Sequence, residues 1–327
     1  MTVPRTRRGP SAQAKLVMFL VCVLFVIYLT LARDTQGCGN KNSFHVTFLE
    51  IGQYGRLGNQ LFQMASTIGI AESHCAKWSF PTSIGTTSVG KLFGLKGDSR
   101  LEPLSAVRYD ELNETYYRIE LPRTRRVVSL HGYFQSRQFF DKSASTLRKH
   151  MKISHQLLRK VQKRVPEVQD VNSVTMHVRR GDFKLYPGKY YTLDMTYYSA
   201  ALNEISTPID SVIVVTDDAD WCMKNIIDRI PFKTILSPFY GEEDSELLDF
   251  VLLYLGKHTI TANSSFSWWA AFLKQLQSSF KHAGTVVAPD QWYDPTGELT
   301  HLNTHSFYPP SWKLVHVDMN TMVQKKK

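Results

Sequence analysis

The chain of 327 residues predicts an α/β protein with a mainly parallel sheet, carried behind one N-terminal transmembrane helix. Three observations predict it. A charge-free apolar run fills residues 16–32. Strand-like and helix-like segments then alternate along the rest of the chain. Polar, glycine- or hydroxyl-rich turns follow the strands, at the ends where an open α/β sheet exposes its ligand crevice.

Read as a helix rising ~1.5 Å per residue, the apolar run spans ~26 Å, enough to cross a thin bilayer. Arg5, Arg7, Arg8 and Lys15 precede it with no acidic residue, and Arg33 and Asp34 offset each other just after it. The positive-inside bias therefore keeps residues 1–15 cytosolic and the remainder lumenal. Thr30-Leu31-Ala32 offers a weak cleavage site, so a removed signal peptide is the competing reading. Residues 33–43 read as a short polar stem.

The net charge of +10 invites a nucleic-acid reading, which its distribution excludes. Seven of the 39 bases sit at the ends, four before the apolar run and three at Lys325, Lys326 and Lys327; the 32 that remain face 29 acids. No basic stripe with interleaved aromatics occurs in that middle portion. Cys22 lies in the apolar run, leaving Cys38, Cys75 and Cys222 in the lumen, which allows one disulfide and one remaining thiol. None has structural zinc spacing. Of the sequons at Asn113 and Asn263, the first reads as a surface loop open to glycosylation; the second falls in a motif that burial would protect.

Residues 44–51 read as a strand. Gly52 to Gln60 follows as a glycine-rich turn, and Leu61, Met64, Ala65 and Ile68 recur at helical spacing. Such a turn lets backbone amides approach an anion at a helix N-terminus, yet its spacing is neither the dinucleotide nor the Walker pattern, and a plain structural turn explains it too. Residues 82–126 are rich in turn signals and give no assignment. Residues 127–133 read as a strand and 141–165 as a basic helix. The alternation restarts with strands at 173–176 and 211–215, a helix at 242–256, a strand at 259–262 and a helix at 268–276.

Three strand ends carry chemistry. His177-Val178-Arg179-Arg180-Gly181-Asp182 sets two guanidiniums and a carboxylate after the first of these strands; a guanidinium fork matches phosphate oxygens, and a structural Arg–Asp pair is the plain alternative. Asn263-Ser264-Ser265 brings cap-forming side chains and free amides to the positive end of a helix, where a diphosphate would sit, although ordinary capping needs no ligand. Asp218-Ala219-Asp220 formally matches a metal-holding pattern, but acids that open a helix are the simpler explanation; Asp217 or Asp218 could instead accept from a guanine edge or ribose.

Taken in order, Gly55-Arg56-Leu57-Gly58-Asn59-Gln60-Leu61-Phe62-Gln63, Gly132-Tyr133-Phe134-Gln135-Ser136, the His177–Asp182 segment, Thr216-Asp217-Asp218 with Trp221, and Asn263 to Trp269 resemble the galactoside α-1,2-fucosyltransferases of glycosyltransferase family eleven. The resemblance runs from about residue 44 to 312. It implies a GT-B-like fold of two Rossmann-like lobes with a donor cleft between them, an acceptor-side lobe at 44–170 and a GDP-fucose-binding lobe at 171–327, with no metal or other cofactor. By motif, Arg179 holds the β-phosphate, His177 and Arg180 help bind the nucleotide, and Ser264, Ser265 and Phe266 line the diphosphate. Asp217 or Asp218 faces guanosine, while Arg56 and Asn59 reach across to the fucose or leaving oxygen. Asp182 either serves as base or orients Arg179. One local departure is the helix around 247–255, which has Asp249 and aromatics where the family often has Met or Cys; it bears on packing rather than on the reaction.

The implied reaction is inverting transfer of L-fucose to the 2-hydroxyl of a terminal galactose by a single-pass type II Golgi membrane enzyme. Its partners are GDP-fucose, galactose-terminated glycans, the membrane through residues 16–32, and a second copy in a homodimer. Two alternatives stay open: a fucosyltransferase with a protein or core-glycan acceptor, and a catalytically silent glycan-binding protein of the same fold.

Overall fold

The computed structural model describes residues 44–101, 105–112, 115–121, 127–278, 284–299, 302 and 307–317. The expected membrane segment at 16–32, Cys38 and the Asn113 sequon lie outside them. Among the described residues no helix is long and apolar enough to cross a membrane.

The first half runs β1 (His45–Thr47), α1 (Leu57–Ser73), β2 (Lys77–Trp78), α2 (Ser88–Phe93), β3 (Val107–Asp110) and β4 (Val127–His131). Its strands form a parallel sheet in the order β2-β1-β4-β3. Two helices follow, α3 (Ala144–His150) and α4 (His155–Arg164). The second half runs β5 (Ser173–Val178), α5 (Met195–Asn203), β6 (Ser211–Thr216), α6 (Ala219–Cys222), β7 (Lys233–Leu236), α7 (Ser245–Leu255), β8 (His258–Ile260), α8 (Ser265–Gln277), β9 (Val286–Pro289) and β10 (Lys313–Val315). These strands form a parallel sheet in the order β10-β9-β8-β5-β6-β7. Two parallel α/β sheets sharing one cleft form the GT-B-like arrangement expected from the sequence.

Central strands covered on both faces carry continuous apolar runs, as β6 does from Val212 to Val215; β5 is buried throughout although it alternates, its polar Ser173, Thr175 and His177 each finding a hydrogen-bond partner. The second sheet's core on one face is built from α5 and the start of the chain's next crossover, including Tyr197, Tyr198, Ile226 and Leu202. The other face belongs to a core shared with the first half. Phe62 from α1 lies 5.0 Å from Trp268 and 5.1 Å from Trp269 of α8, ring centre to ring centre, and Phe140 stacks on Trp269 at 5.4 Å. Helix α1 is therefore buried nearly all round, and its inward polar groups are spent on backbone: Gln63 Nε2 donates to Gly132 O (3.2 Å) and Ser66 Oγ to Phe134 O (3.1 Å).

Three expectations are corrected. The basic helix at 141–165 is two helices, because Met151 is wholly buried and the intervening backbone is taken by tertiary partners: Ser154 N donates to Leu92 O (2.9 Å) and Gln277 Nε2 to Met151 O (3.1 Å). The strand at 44–51 ends at Thr47, where Leu49 N turns to the Ser129 hydroxyl. Helix α8 starts at Ser265 rather than at 268, with Ser264 as its N-cap. Cys75 is disulfide-bonded and Cys222 is a buried free thiol.

Candidate active site

A cleft of about 880 Å³ opens at the carboxyl ends of both sheets. Residues from the first half, among them Arg56, Asn59 and Tyr133, face residues from the second, among them His177, Arg179 and Ser264. Helices α1 and α8 both begin at this cleft. Neither Arg56 nor Ser264, their N-cap residues, caps its own helix with a side-chain hydrogen bond, and neither first turn holds an acid. The positive end of α8 is thus offered to the cleft, whereas that of α1 is met by a carboxylate from α7, Glu246, at Leu57 N. The two starts also touch: a Cβ on Gly58 would collide with the Ser265 hydroxyl and stand 2.7 Å from Phe266 N, so only glycine permits this approach.

Arg179, at the end of β5, is held by two carboxylates. Its Nη2 donates to Asp182 Oδ1 at 2.6 Å and its Nη1 pairs with Asp217 Oδ2 at 2.8 Å, and its side chain is only 14% exposed. The Nε is buried without a hydrogen-bond partner among the described residues, as is Asn263 Oδ1 nearby in the cleft wall. Asp217 also accepts from the backbone N–H of Arg180 (2.8 Å) and Gly181 (3.0 Å), which fixes the turn itself. Asp182 lies 3.9 Å from Arg56, an exposed residue reaching in from the first half. His177 is buried, with Nδ1 2.9 Å from the Ser267 hydroxyl. Burial first, and the Arg179 charge second, drive its pKa down to about 3, so it stands neutral.

Asn59 spans the cleft. Its Oδ1 accepts from Gln135 Nε2 (2.6 Å) and from the Ser265 hydroxyl (3.3 Å), which leaves the amide N–H₂ as the group for a ligand.

Two predicted residues are not brought to the cleft. Arg180 points away: its guanidinium lies 4.0 Å over the Trp221 ring, and it donates to Asp218 (3.2 Å) and Leu193 O (3.3 Å). Adjacent residues at a strand end face opposite sides, so one arginine of the pair enters the site and its neighbour braces the sheet. Asp218 caps α6, accepting from Trp221 N (3.3 Å), and also pairs with Arg180 and Lys184. Asn263 is buried, its Nδ2 donating to Tyr191 O (3.3 Å) and Trp292 O (3.1 Å), so the second sequon is closed to glycosylation in the folded chain.

Sequence reasoning missed the acids of α7. Glu246 Oε1 accepts from Leu57 N (3.4 Å) and its Oε2 from the Ser88 hydroxyl (2.8 Å), tying α7 to the start of α1. Asp249 lines the cleft with the Ser237 hydroxyl donating to it, and burial pushes its carboxyl up to about 6. The departure at Asp249 thus falls on the site and not on packing. A lone acid within the apolar run of α7 was the available signal.

Residues 93–315 match the family described as glycosyl transferase family 11, and the chain belongs to that family. It is 30% identical over 160 residues to an alpha-1,2-colitosyltransferase of Escherichia coli, covering 45% of this chain and 50% of that one. It is 27% identical over 316 residues to a galactoside 2-alpha-L-fucosyltransferase of Caenorhabditis elegans, covering 83% and 77%, and 26% identical over 313 residues to a mouse galactoside alpha-(1,2)-fucosyltransferase 1, covering 90% and 79%. The chain spans about half the length of the bacterial relatives it matches, 50% and 55%.

Proposed function

We propose that this protein transfers L-fucose from GDP-β-L-fucose to the 2-hydroxyl of a terminal galactose, inverting the anomeric centre. The observation that carries this is the meeting of the start of α8, which has no side-chain cap, with the clamped Arg179 in one cleft, a built site for a diphosphate leaving group. Family membership and the names of the animal relatives support the sugar and the linkage.

In this reading the acceptor oxygen bonds to the fucose C1 on the face opposite the diphosphate. The C1–O bond breaks, its electron pair leaves on GDP, and the acceptor proton passes to a base or to water. Negative charge builds on the departing β-phosphate, and Arg179 with the first amides of α8 would meet it without reorganising. Asp182 and Asp217 fix the fork, which makes Asp182 a positioning residue here. Asn59 offers its N–H₂ toward the fucose or leaving oxygen, and Asp249 receives N–H groups of the base. In this reading no metal is required: Asp218 of the Asp218-Ala219-Asp220 pattern serves Arg180, Lys184 and the α6 cap, and the cleft carboxylates Asp182 and Asp217 are paired with Arg179. Residues 16–32 anchor the enzyme in the Golgi membrane with the described portion lumenal.

The test is to incubate the detergent-solubilised full chain with GDP-fucose, EDTA and a panel of galactosides, and to assign the linkage of the product by NMR. An α-1,2-fucosylated galactose formed at an undiminished rate with EDTA is expected. Transfer to core glycans or protein alone would replace the acceptor reading, and inhibition reversed by Mn²⁺ would end the metal-free one.

A further inference from the structure

The first-half wall of the cleft contains a turn held in an unusual shape. Gly132 has φ +145° and Phe134 has φ +49°. A left-handed backbone at a bulky residue is strained and persists only where its surroundings impose it, often at ligand clamps. Here the surroundings are explicit. Phe134 is wholly buried, edge-on to Phe48 (6.4 Å) and Phe139 (5.6 Å). Glu111 accepts hydrogen bonds from the backbone N–H of Tyr133 (2.6 Å) and of Phe134 (2.8 Å). A Cβ on Gly132 would stand 2.6 Å from that carboxylate, so glycine is needed for the approach as well as for the angle. From below, the Tyr54 hydroxyl accepts from Gly132 N at 3.0 Å and lies 3.1 Å from His131 Nδ1, itself 2.5 Å from Glu50.

With the turn fastened on each side, the side chain at its apex is left out. Tyr133 is 46% exposed in the cleft, its ring held edge-on against Tyr54 at 5.8 Å and 87°. Two residues on, Gln135 donates to Asn59, so the same turn also sets the amide assigned to the reacting sugar. A rigid aromatic face beside polar groups suits one side of a pyranose, whose C–H groups pack on the ring while its hydroxyls face the polar wall. Galactose, with its axial hydroxyl directed to one side, leaves a continuous C–H face on the other.

Resting on the fucosyl-transfer reading, we propose that Tyr133 is the platform on which the terminal galactose of the acceptor stacks, and that Glu111 is the positioning residue that holds the platform in place.

The full chain is assayed with lactose as acceptor, alongside calorimetry with GDP. Tyr133→Ala should raise the acceptor KM at least tenfold while leaving GDP affinity within twofold of wild type. Tyr133→Phe, which keeps the ring, should stay within threefold in acceptor KM, and Glu111→Gln should fall between the two. The GDP titration also verifies that each variant is folded. An acceptor KM within threefold of wild type in Tyr133→Ala, or a loss of GDP affinity as large as the rise in acceptor KM, overturns the platform and leaves the fucosyl-transfer reading standing. A wild-type chain that binds GDP but transfers fucose to no galactoside takes both down.

Discussion

The two walls of the cleft are built on opposite plans. On the second-half wall Arg179 is 14% exposed and gripped by Asp182 and Asp217, and His177 is buried and neutral. On the first-half wall Arg56 is 68% exposed and Tyr133 46%, and what is fixed is the backbone that presents them. The difference suits the partners proposed for each. A diphosphate leaving group needs charge set in place before reaction, because reorganising dipoles during bond cleavage forfeits their benefit. An acceptor glycan needs a shaped, wet surface that different sugars can leave and enter.

The largest expected effect falls on the preorganised wall. Arg179→Ala should lower kcat/KM by ~10²–10³, and Arg179→Lys should not restore it, because an ammonium lacks the fork that both carboxylates and a phosphate require. Retention of more than about a tenth of wild-type kcat/KM, a loss below ~1.4 kcal/mol, would remove Arg179 from its role.

A smaller effect probes the bridge between the walls. Since Asn59 and Ser265 share a hydrogen bond across 206 residues of sequence, Asn59→Ala, Ser265→Ala and the double variant should not add. A coupling of ~0.5 kcal/mol or more in kcat/KM is expected for groups in contact. Ser265→Ala should weaken GDP binding as well, whereas Asn59→Ala should chiefly lower kcat. Equal loss of GDP affinity in both would make Asn59 an ordinary nucleotide contact.

The smallest effect is one of pH. Asp249 has its carboxyl raised from 3.8 to about 6 by burial, so folding favours its neutral form. The sign is therefore fixed: in the free protein this group's contribution to stability is present below pH 3.8 and lost as pH rises through about 6. If the ionised carboxylate receives N–H groups of guanine, GDP affinity should rise over the same interval. Calorimetry from pH 5 to 7.5 should show a steeper rise in wild type than in Asp249→Asn, the part common to both belonging to the terminal phosphate of GDP, whose second pKa is about 6; an unchanged slope in the variant would remove Asp249 from the base site.

Much of this contrast was legible before the structure. Strand β6 is a continuous apolar run and β5 a short β-type segment, and the turns after them hold most of the residues of the second-half wall. The short strands β2, β3 and β10 are two to four residues long and at least partly exposed, too short for a period to stand out; even the alternation of β3 covers only four residues. Glu111 was illegible for another reason: its role is to bond the backbone of a turn 22 and 23 residues away, and no local pattern announces that. Arg180 and Asp218 read as donor contacts because sequence gives proximity to a motif and not the side of the strand end on which a side chain falls. The start of α8 was placed late because Ser264, Ser265 and Phe266 favour loop and cap as strongly as a first helical turn.

The aromatic seam of Phe62, Phe140, Trp268 and Trp269 has a meaning for how this chain melts. Half of the seam comes from before residue 141 and half from after residue 267, so either half on its own would expose unpaired rings and lack one side of its interior. The two sheets look like separate modules in topology, yet the shared seam should make them melt as one cooperative unit, seen as a single calorimetric transition. A cut between them should leave each piece with one side of the seam uncovered.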